Sequence, residues 1–394
     1  MTEQTFTLHV PDSEIDYLKQ KLELTRFPDE LEGGSWDYGV PLAILKRLIA
    51  RWKDGFDWRA SEARINTLPQ FTRDIEVEGH GTLNIHYVHK RSELGDNAIP
   101  LLFVHGWPGH FMEASRILPL LTAVSPNEPS FHVVAPSLPG YGFSDAPRKP
   151  GFAIKQYAEV VHKLMLALGY EKYVTQGGDW GSLITKKLQS MHGGTHFWPP
   201  QFTREPWQYL KYLVTPLTQR EKDGMTSAQR FQSTHFGFFV EQSTKPQTIG
   251  YSLADSPVGL LAWIYEKLVA CTDNYPWTDD EVLEWISIYW FSKAGPTASL
   301  RIYYETARSG EMSERTPWTN VPNGISRFPK DPLQVPRSWS RLLGNVVFDV
   351  EHDRGGHFAA FEVPELLAGD LKKMFGVDGP AFGVVPGKSG YAAS

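Results

Sequence analysis

Tyr-Val-Thr-Gln-Gly-Gly-Asp-Trp-Gly, residues 173–181, reads as a short strand, a sharp turn and the opening of a helix. Its last five residues follow the pattern small–x–nucleophile–x–small, with Asp179 at the centre. Flanking glycines permit a turn so tight that the central side chain is pushed into the open. The helix that starts there presents backbone N–H groups to a developing anion. By itself Gly-x-Asp-x-Gly is equally an ordinary Gly-Asp turn. Its surroundings decide between the two.

Upstream, IPLLFVHG (99–106) is a short apolar run ending in glycine, as a buried strand does, and FHVVAPSLPGYGFS (131–144) is a strand running into a Pro/Gly-rich loop. Between Phe152 and Gly169, residues Tyr157, Val160, Val161, Leu164 and Leu168 share one helical stripe, and Gly169 suits the C-terminal cap. Strands alternating with helices predict a mostly parallel sheet with helices on both faces and function at the strands' carboxyl ends. Residues 191–320 break that rhythm: they are rich in Trp, Tyr and Phe, contain helical stretches such as Pro257–Leu268, and read as an inserted helical lid. The βα pattern resumes at NVVFDV (345–350) and closes on a helix over Pro364–Phe375.

The N-terminal residues are mainly helical. Ser13 and Asp16 make a capping pair for a helix carrying Ile15, Leu18 and Leu22. Pro41 opens a second helix, with Leu42, Leu45, Leu48, Ile49 and Trp52 on one face and Gly55 at its end. Trp58, Phe71 and the alternating Leu83, Ile85 and Tyr87 then lead into a sheet. The expected organisation is a meander segment over 1–95, a core over 96–190 and 321–394, and a lid over 191–320. The terminal VVPGKSGYAAS (384–394) reads as a loosely held tail.

Composition narrows the class. Of 394 residues, 41% are hydrophobic and 21% charged, which excludes a disordered or fibrous chain. A formal charge of −6 gives no electrostatic case for nucleic acid or an anionic membrane. A lone cysteine, Cys271, allows no intrachain disulfide and reads as a packed thiol in a reducing compartment. The start, MTEQTFTLHVPDSE, has neither a basic n-region nor an apolar h-region, and the longest apolar runs fall short of the ~18 residues of a membrane span. A cytoplasmic location without membrane attachment is expected. No zinc spacing or phosphate loop occurs, so neither metal nor organic cofactor is expected.

Other residues complete a constellation around Asp179. His105-Gly106-Trp107-Pro108-Gly109 follows the first core strand, where α/β-hydrolases supply an oxyanion donor. Pro108 has no N–H, so the Trp107 amide is the natural donor, with the Trp180 amide as the second. His357, in Arg354-Gly355-Gly356-His357-Phe358, follows the last strand in a Gly-rich loop and suits a catalytic base. Its orienting acid is expected to be Asp331, which follows Phe328 and Pro329 at a strand exit. Asp353 is the second choice, because Asp349, Glu351 and Asp353 belong to the strand and turn leading into His357 itself.

With these residues in view, the chain resembles epoxide hydrolases of the microsomal and fungal type, which join an N-terminal meander to an α/β-hydrolase core. The resemblance spans nearly the whole chain and rests on HGWPG (105–109), SLPGYGFS (137–144), GGDWGS (177–182), GYSLADSPVGLLAWIYEKL (250–268), SLRIYYE (299–305) and RGGHFAAFE (354–362). It implies Asp179 as nucleophile, His357 as base and Asp331 as its charge partner, where the family often holds Glu. It further implies two lid tyrosines as acids at the epoxide oxygen, Tyr251 and Tyr303, with the adjacent Tyr304 as the alternative to Tyr303.

The implied activity converts an epoxide to a vicinal diol through a hydroxyalkyl ester on Asp179, hydrolysed by water that His357 activates. Residue type agrees: a carboxylate suits displacement at saturated carbon, whereas Ser favours acyl transfer. The partner is a small epoxide, apolar or aryl from the aromatic lid, and a homodimer is compatible with the meander. Two other readings remain: a haloalkane dehalogenase with the same Asp nucleophile, and a non-catalytic hydrolase fold that binds a small molecule.

Overall fold

The computed structural model describes residues 3–189, 206–312, 318–340, 342 and 344–392; the remainder of the expected lid, 191–205 and 313–317, lies outside these. The N-terminal part gives strand β1 (Gln4–Thr5), helices α1 (Asp12–Glu23), α2 (Leu42–Asp54) and α3 (Trp58–Ile65), then the hairpin of β2 (Gln70–Val77) and β3 (Gly81–Lys90). Next come β4 (Ile99–Val104), α4 (Leu118–Thr122), β5 (Phe131–Pro136), α5 (Ile154–Ala167), β6 (Val174–Gly177) and α6 (Asp179–Gln189). Described residues 206–312 hold only helices: α7 (Pro206–Val214), α8 (Gln219–Thr234), α9 (Gly237–Thr244), α10 (Pro246–Asp255), α11 (Pro257–Ala270), α12 (Asp279–Trp290) and α13 (Arg301–Ser309). The chain ends with β7 (Pro322–Arg327), α14 (Arg337–Ser340), β8 (Asn345–Glu351), α15 (Ala359–Glu362) and α16 (Pro364–Phe375).

The main sheet has the order β1-β2-β3-β5-β4-β6, and β7 pairs with β8. Where the chain alternates strand and helix the pairing is parallel: β4 with β5, β4 with β6, and β7 with β8. The N-terminal hairpin enters through antiparallel pairings of β2 with β3 and β3 with β5, which makes the sheet mixed. This is the α/β-hydrolase architecture. Every residue of β4 and β5 is buried. Period-two alternation sends Leu102 and Val104 into one apolar cluster and Leu101 and Phe103 into another on the opposite face. The first cluster is capped by α1, α2, α5, α11 and α12, the second by α4 and α16.

Among the described residues no helix is long and apolar enough to cross a membrane. Leu45, Leu48, Ile49 and Trp52 form the buried face of α2, with Pro41 and Gly55 at its ends. Two local expectations give way. Helix α1 begins two residues earlier than a Ser13 cap implies, at Asp12 after Pro11, and no side-chain cap forms; the Pro11 carbonyl accepts from the Glu14 N–H at 3.0 Å and places Ser13 inside the first turn. The C-terminal segment is docked rather than loose. Gly390 donates its N–H to the Asn97 carbonyl and accepts from the Ser130 N–H, both at 2.8 Å, while Val385 is buried.

Candidate active site

Three loops at the carboxyl ends of the strands build the site. The first is the bend from β6 to α6, where Asp179 sits at φ 49°, a left-handed conformation that costs a non-glycine residue about 1–3 kcal/mol. The bend needs α6 to start hard against β4: a Cβ at Gly181 would fall 2.0 Å from the Val104 carbonyl oxygen, so only glycine fits. That close approach turns the Asp179 carboxylate away from the helix and into a cavity.

The second loop follows β4. Here the Trp107 N–H donates to Asp179 Oδ1 at 2.8 Å, so one carboxylate oxygen already occupies an amide donor site. A cis peptide bond joins Trp107 to Pro108. The loop is clamped from α12, whose Trp285 indole donates to the Pro108 carbonyl at 2.7 Å and whose Tyr289 hydroxyl donates to the Gly109 carbonyl at 2.6 Å. Trp180 lies in the first turn of α6, where backbone N–H groups have no acceptor within the helix.

The third loop carries His357. Its backbone N–H donates to the Cys271 carbonyl at 2.8 Å, and a parallel bridge between Lys330 and Gly356 ties it to the loop after β7. That bridge brings Asp331 opposite the imidazole. Leu333 donates its N–H to Asp331 Oδ1 at 3.0 Å, which leaves Oδ2 to face His357 Nδ1 at 3.8 Å. On the other side, His357 Nε2 stands 3.6 Å from Asp179 Oδ2. Both gaps exceed hydrogen-bond length, which is common before substrate closes a site. The other acids are committed elsewhere: Asp349 pairs with Arg327, Glu351 with Arg337, and Asp353 is exposed.

Charge follows from this placement. Burial alone would push the His357 imidazole towards neutrality, but the two carboxylates flanking it outweigh that and raise its pKa well above the ordinary histidine value. For Asp331 burial pulls upward, but its interaction with the facing His357 imidazole prevails and lowers it. The flanking acids therefore favour a protonated imidazole.

The tyrosines separate clearly. Tyr303 is buried, with its ring 4.8 Å from that of Trp180 and 5.8 Å from that of Trp107, both edge-on. Burial, and after it the Asp179 charge, raise its phenol well above the usual value, so it keeps its proton and stays a donor. Tyr304 points elsewhere, under the Arg308 guanidinium. Tyr251 does not join the site: it is 70% exposed, because α10 turns Gly250 and Leu253 inward and leaves Tyr251 on the outer face. The ring across from Tyr303 is instead Phe238, 6.0 Å away and stacked on Trp107 at 5.2 Å. Phe236, Phe239 and Met312 extend this apolar wall.

Sequence reading did not single out Phe238 or Glu113, a further carboxyl on the cavity wall. The Phe-rich HFGFF (235–239) was the available signal for the first. For Glu113 the signal was an acid one turn past HGWPG.

Comparison with known proteins bears on the family and the fold. Residues 3–114 match the family model "Epoxide hydrolase N terminus", and residues 99–192 match that of the α/β-hydrolase fold. A putative epoxide hydrolase of Stigmatella aurantiaca is 38% identical over 384 residues, covering 94% of this chain and 84% of its own. Epoxide hydrolase 1 of Sus scrofa is 36% identical, covering 94% and 88%. Among solved structures, the Aspergillus niger epoxide hydrolase superposes with a TM-score of 0.78 at 34% identity, over 94% of this chain and 95% of that one. The juvenile hormone epoxide hydrolase of the silkworm Bombyx mori gives 0.83 at 28% identity, over 94% and 93%.

Proposed function

The chain belongs to the epoxide hydrolase family of the α/β-hydrolase fold, and from that premise we propose that it hydrolyses epoxides to vicinal diols through a covalent ester on Asp179. The observation that carries the reading is the split environment of one carboxylate: Oδ1 accepts from the Trp107 amide, while Oδ2 faces His357 and the cavity. Oδ2 is then the attacking atom, and Oδ1 is the oxygen that bears negative charge when the ester is hydrolysed.

In the first half-reaction Oδ2 displaces the ring oxygen from carbon, and the Tyr303 phenol hydrogen-bonds that oxygen and passes it a proton. Esterification removes one of the two charges holding the His357 proton. The Tyr303 phenolate left behind regains a proton from His357 through water in the cavity, so a neutral imidazole is present when a base is needed. In the second half-reaction His357, oriented by Asp331, takes a proton from water as that water attacks the ester carbonyl. The Trp107 and Trp180 amides stabilise the oxyanion on Asp179, each such donor contributing about 3 kcal/mol. On collapse the newly added hydroxyl passes its proton to the departing alkoxide, which leaves as the diol, so Asp179 is again a carboxylate and His357 remains an imidazolium.

The substrates are apolar or aryl epoxides, since Trp107, Phe236, Phe238, Phe239 and Met312 line the approach to Asp179. In this reading the helices of 191–320 form a cap over a core of 96–190 and 321–394, with 1–95 as the meander packed on both. The family relatives favour epoxide opening over dehalogenation, and the intact carboxylate–histidine pair disfavours a receptor.

One turnover in heavy-oxygen water tests the ester. The first diol is expected to carry no solvent oxygen and Asp179 is expected to gain the label; a labelled first diol with unlabelled protein would overturn the reading. The acid has its own test. Tyr303→Phe is expected to slow alkylation by about 10²–10⁴-fold in rapid-quench assays while ester hydrolysis stays within a few-fold. An unchanged alkylation rate would remove Tyr303 from the mechanism.

A further inference from the structure

Glu113 lies on the 3-10 turn Phe111–Ala114 that follows the Trp107–Pro108 loop. It is partly buried, and its side chain folds back over Gly109: a Cβ there would fall 1.4 Å from the Glu113 carboxylate oxygen. Glycine at 109 thus leaves the space that the carboxyl fills. From there it shares the cavity wall with Asp179 and His357 and interacts electrostatically with both. Tyr289 is the other titratable group that feels it, and its hydroxyl is already committed to the Gly109 carbonyl. No side-chain hydrogen bond or ion pair of Glu113 occurs among the described residues. A carboxyl held in the wall of a reaction cavity without a protein partner takes its partner from the cavity contents.

We propose that Glu113 positions the water that hydrolyses the Asp179 ester, accepting one of its hydrogens while His357 removes the other. The inference rests on the covalent route proposed above and adds a residue to its second half. Burial pushes the Glu113 pKa up to about 8, with the Asp179 charge adding to this and His357 opposing it. At neutral pH it is therefore mostly a neutral acid. In that state its carbonyl oxygen accepts a hydrogen bond from the water without adding a negative charge that competes with Asp331 for His357. No bond to Glu113 forms or breaks.

The test separates the half-reactions with styrene oxide, by rapid quench and intact-protein mass. Glu113→Leu is expected to leave alkylation within about 3-fold of native and to slow hydrolysis by about 10²-fold, so that ester accumulates at steady state. Glu113→Gln retains a carbonyl acceptor in the same place and is expected to recover most of the hydrolysis rate. Equal losses in both half-reactions, no loss in either, or a Gln variant as slow as Leu would overturn the proposal. Glu113→Ala replaces Leu if thermal melting shows that the Leu variant does not fold. Failure of the covalent reading itself appears separately, as absence of any ester in the His357→Gln protein.

Discussion

Replacing His357 by Gln is expected to stop the cycle at its midpoint, leaving a stable protein whose mass has increased by one substrate molecule. The imidazole stands 3.6 Å from Asp179 Oδ2 through Nε2 and 3.8 Å from Asp331 through Nδ1, the arrangement of a base held by an acid. Gln lacks a nitrogen that accepts a proton, so water attacks the ester unassisted. Alkylation needs no base. It needs only Oδ2 and a donor to the ring oxygen, and slows modestly because the balancing proton then comes from solvent. Steady-state turnover falls by about 10⁴-fold or more, with a burst of one equivalent. Intact-mass measurement after incubation with styrene oxide checks this. Unmodified protein, or turnover near the native rate, would show that His357 has another task.

The second large effect is at the nucleophile. Asp179→Ala removes the carboxylate oxygen that stands 3.6 Å from His357 Nε2 on the cavity wall, and turnover is expected to drop by about 10⁵–10⁶-fold. The fold should survive. The close contact that shapes the bend belongs to Gly181 and Val104, and α6 packs through Trp180 and Ile184 rather than through Asp179. Thermal melting is therefore expected near the native midpoint, while the diol assay is flat. Residual activity within an order of magnitude of native would refute the assignment. Loss of activity together with loss of melting cooperativity would show a structural role instead.

The parts legible in sequence are those where one residue type is required by the backbone. The glycines of the 177–181 bend, the uninterrupted apolar runs of β4 and β5, and the Gly-rich loop before His357 each admit few alternatives, and they announced both sheet and site. Choosing Asp331 over Asp353 followed from chain direction: a residue in the turn before His357 cannot easily reach back to its far nitrogen. Less legible was anything set by the rotation of a helix about its own axis. Tyr251 sits within a motif that resembles the family, yet α10 presents Gly250 and Leu253 inward, and the residue that meets Tyr303 comes from the preceding helix as Phe238. Glu113 was hidden because its importance lies in a fold-back onto Gly109, which spacing does not express. The docked C-terminal segment escaped because backbone bonds to Asn97 and Ser130, not side chains, secure it.

The amide of Trp107 already grips an oxygen of Asp179 in this structure. Related architectures with a serine at the bend keep the equivalent donors free for a carbonyl brought in from outside. Here that berth is filled by the protein's own side chain throughout the proposed cycle. On the proposed mechanism, esters, amides and phosphonylating poisons are expected to find the Trp107 donor already taken by Asp179 and to react poorly for that reason. Inhibitors built on the same logic should instead imitate a strained ether whose oxygen meets the Tyr303 phenol.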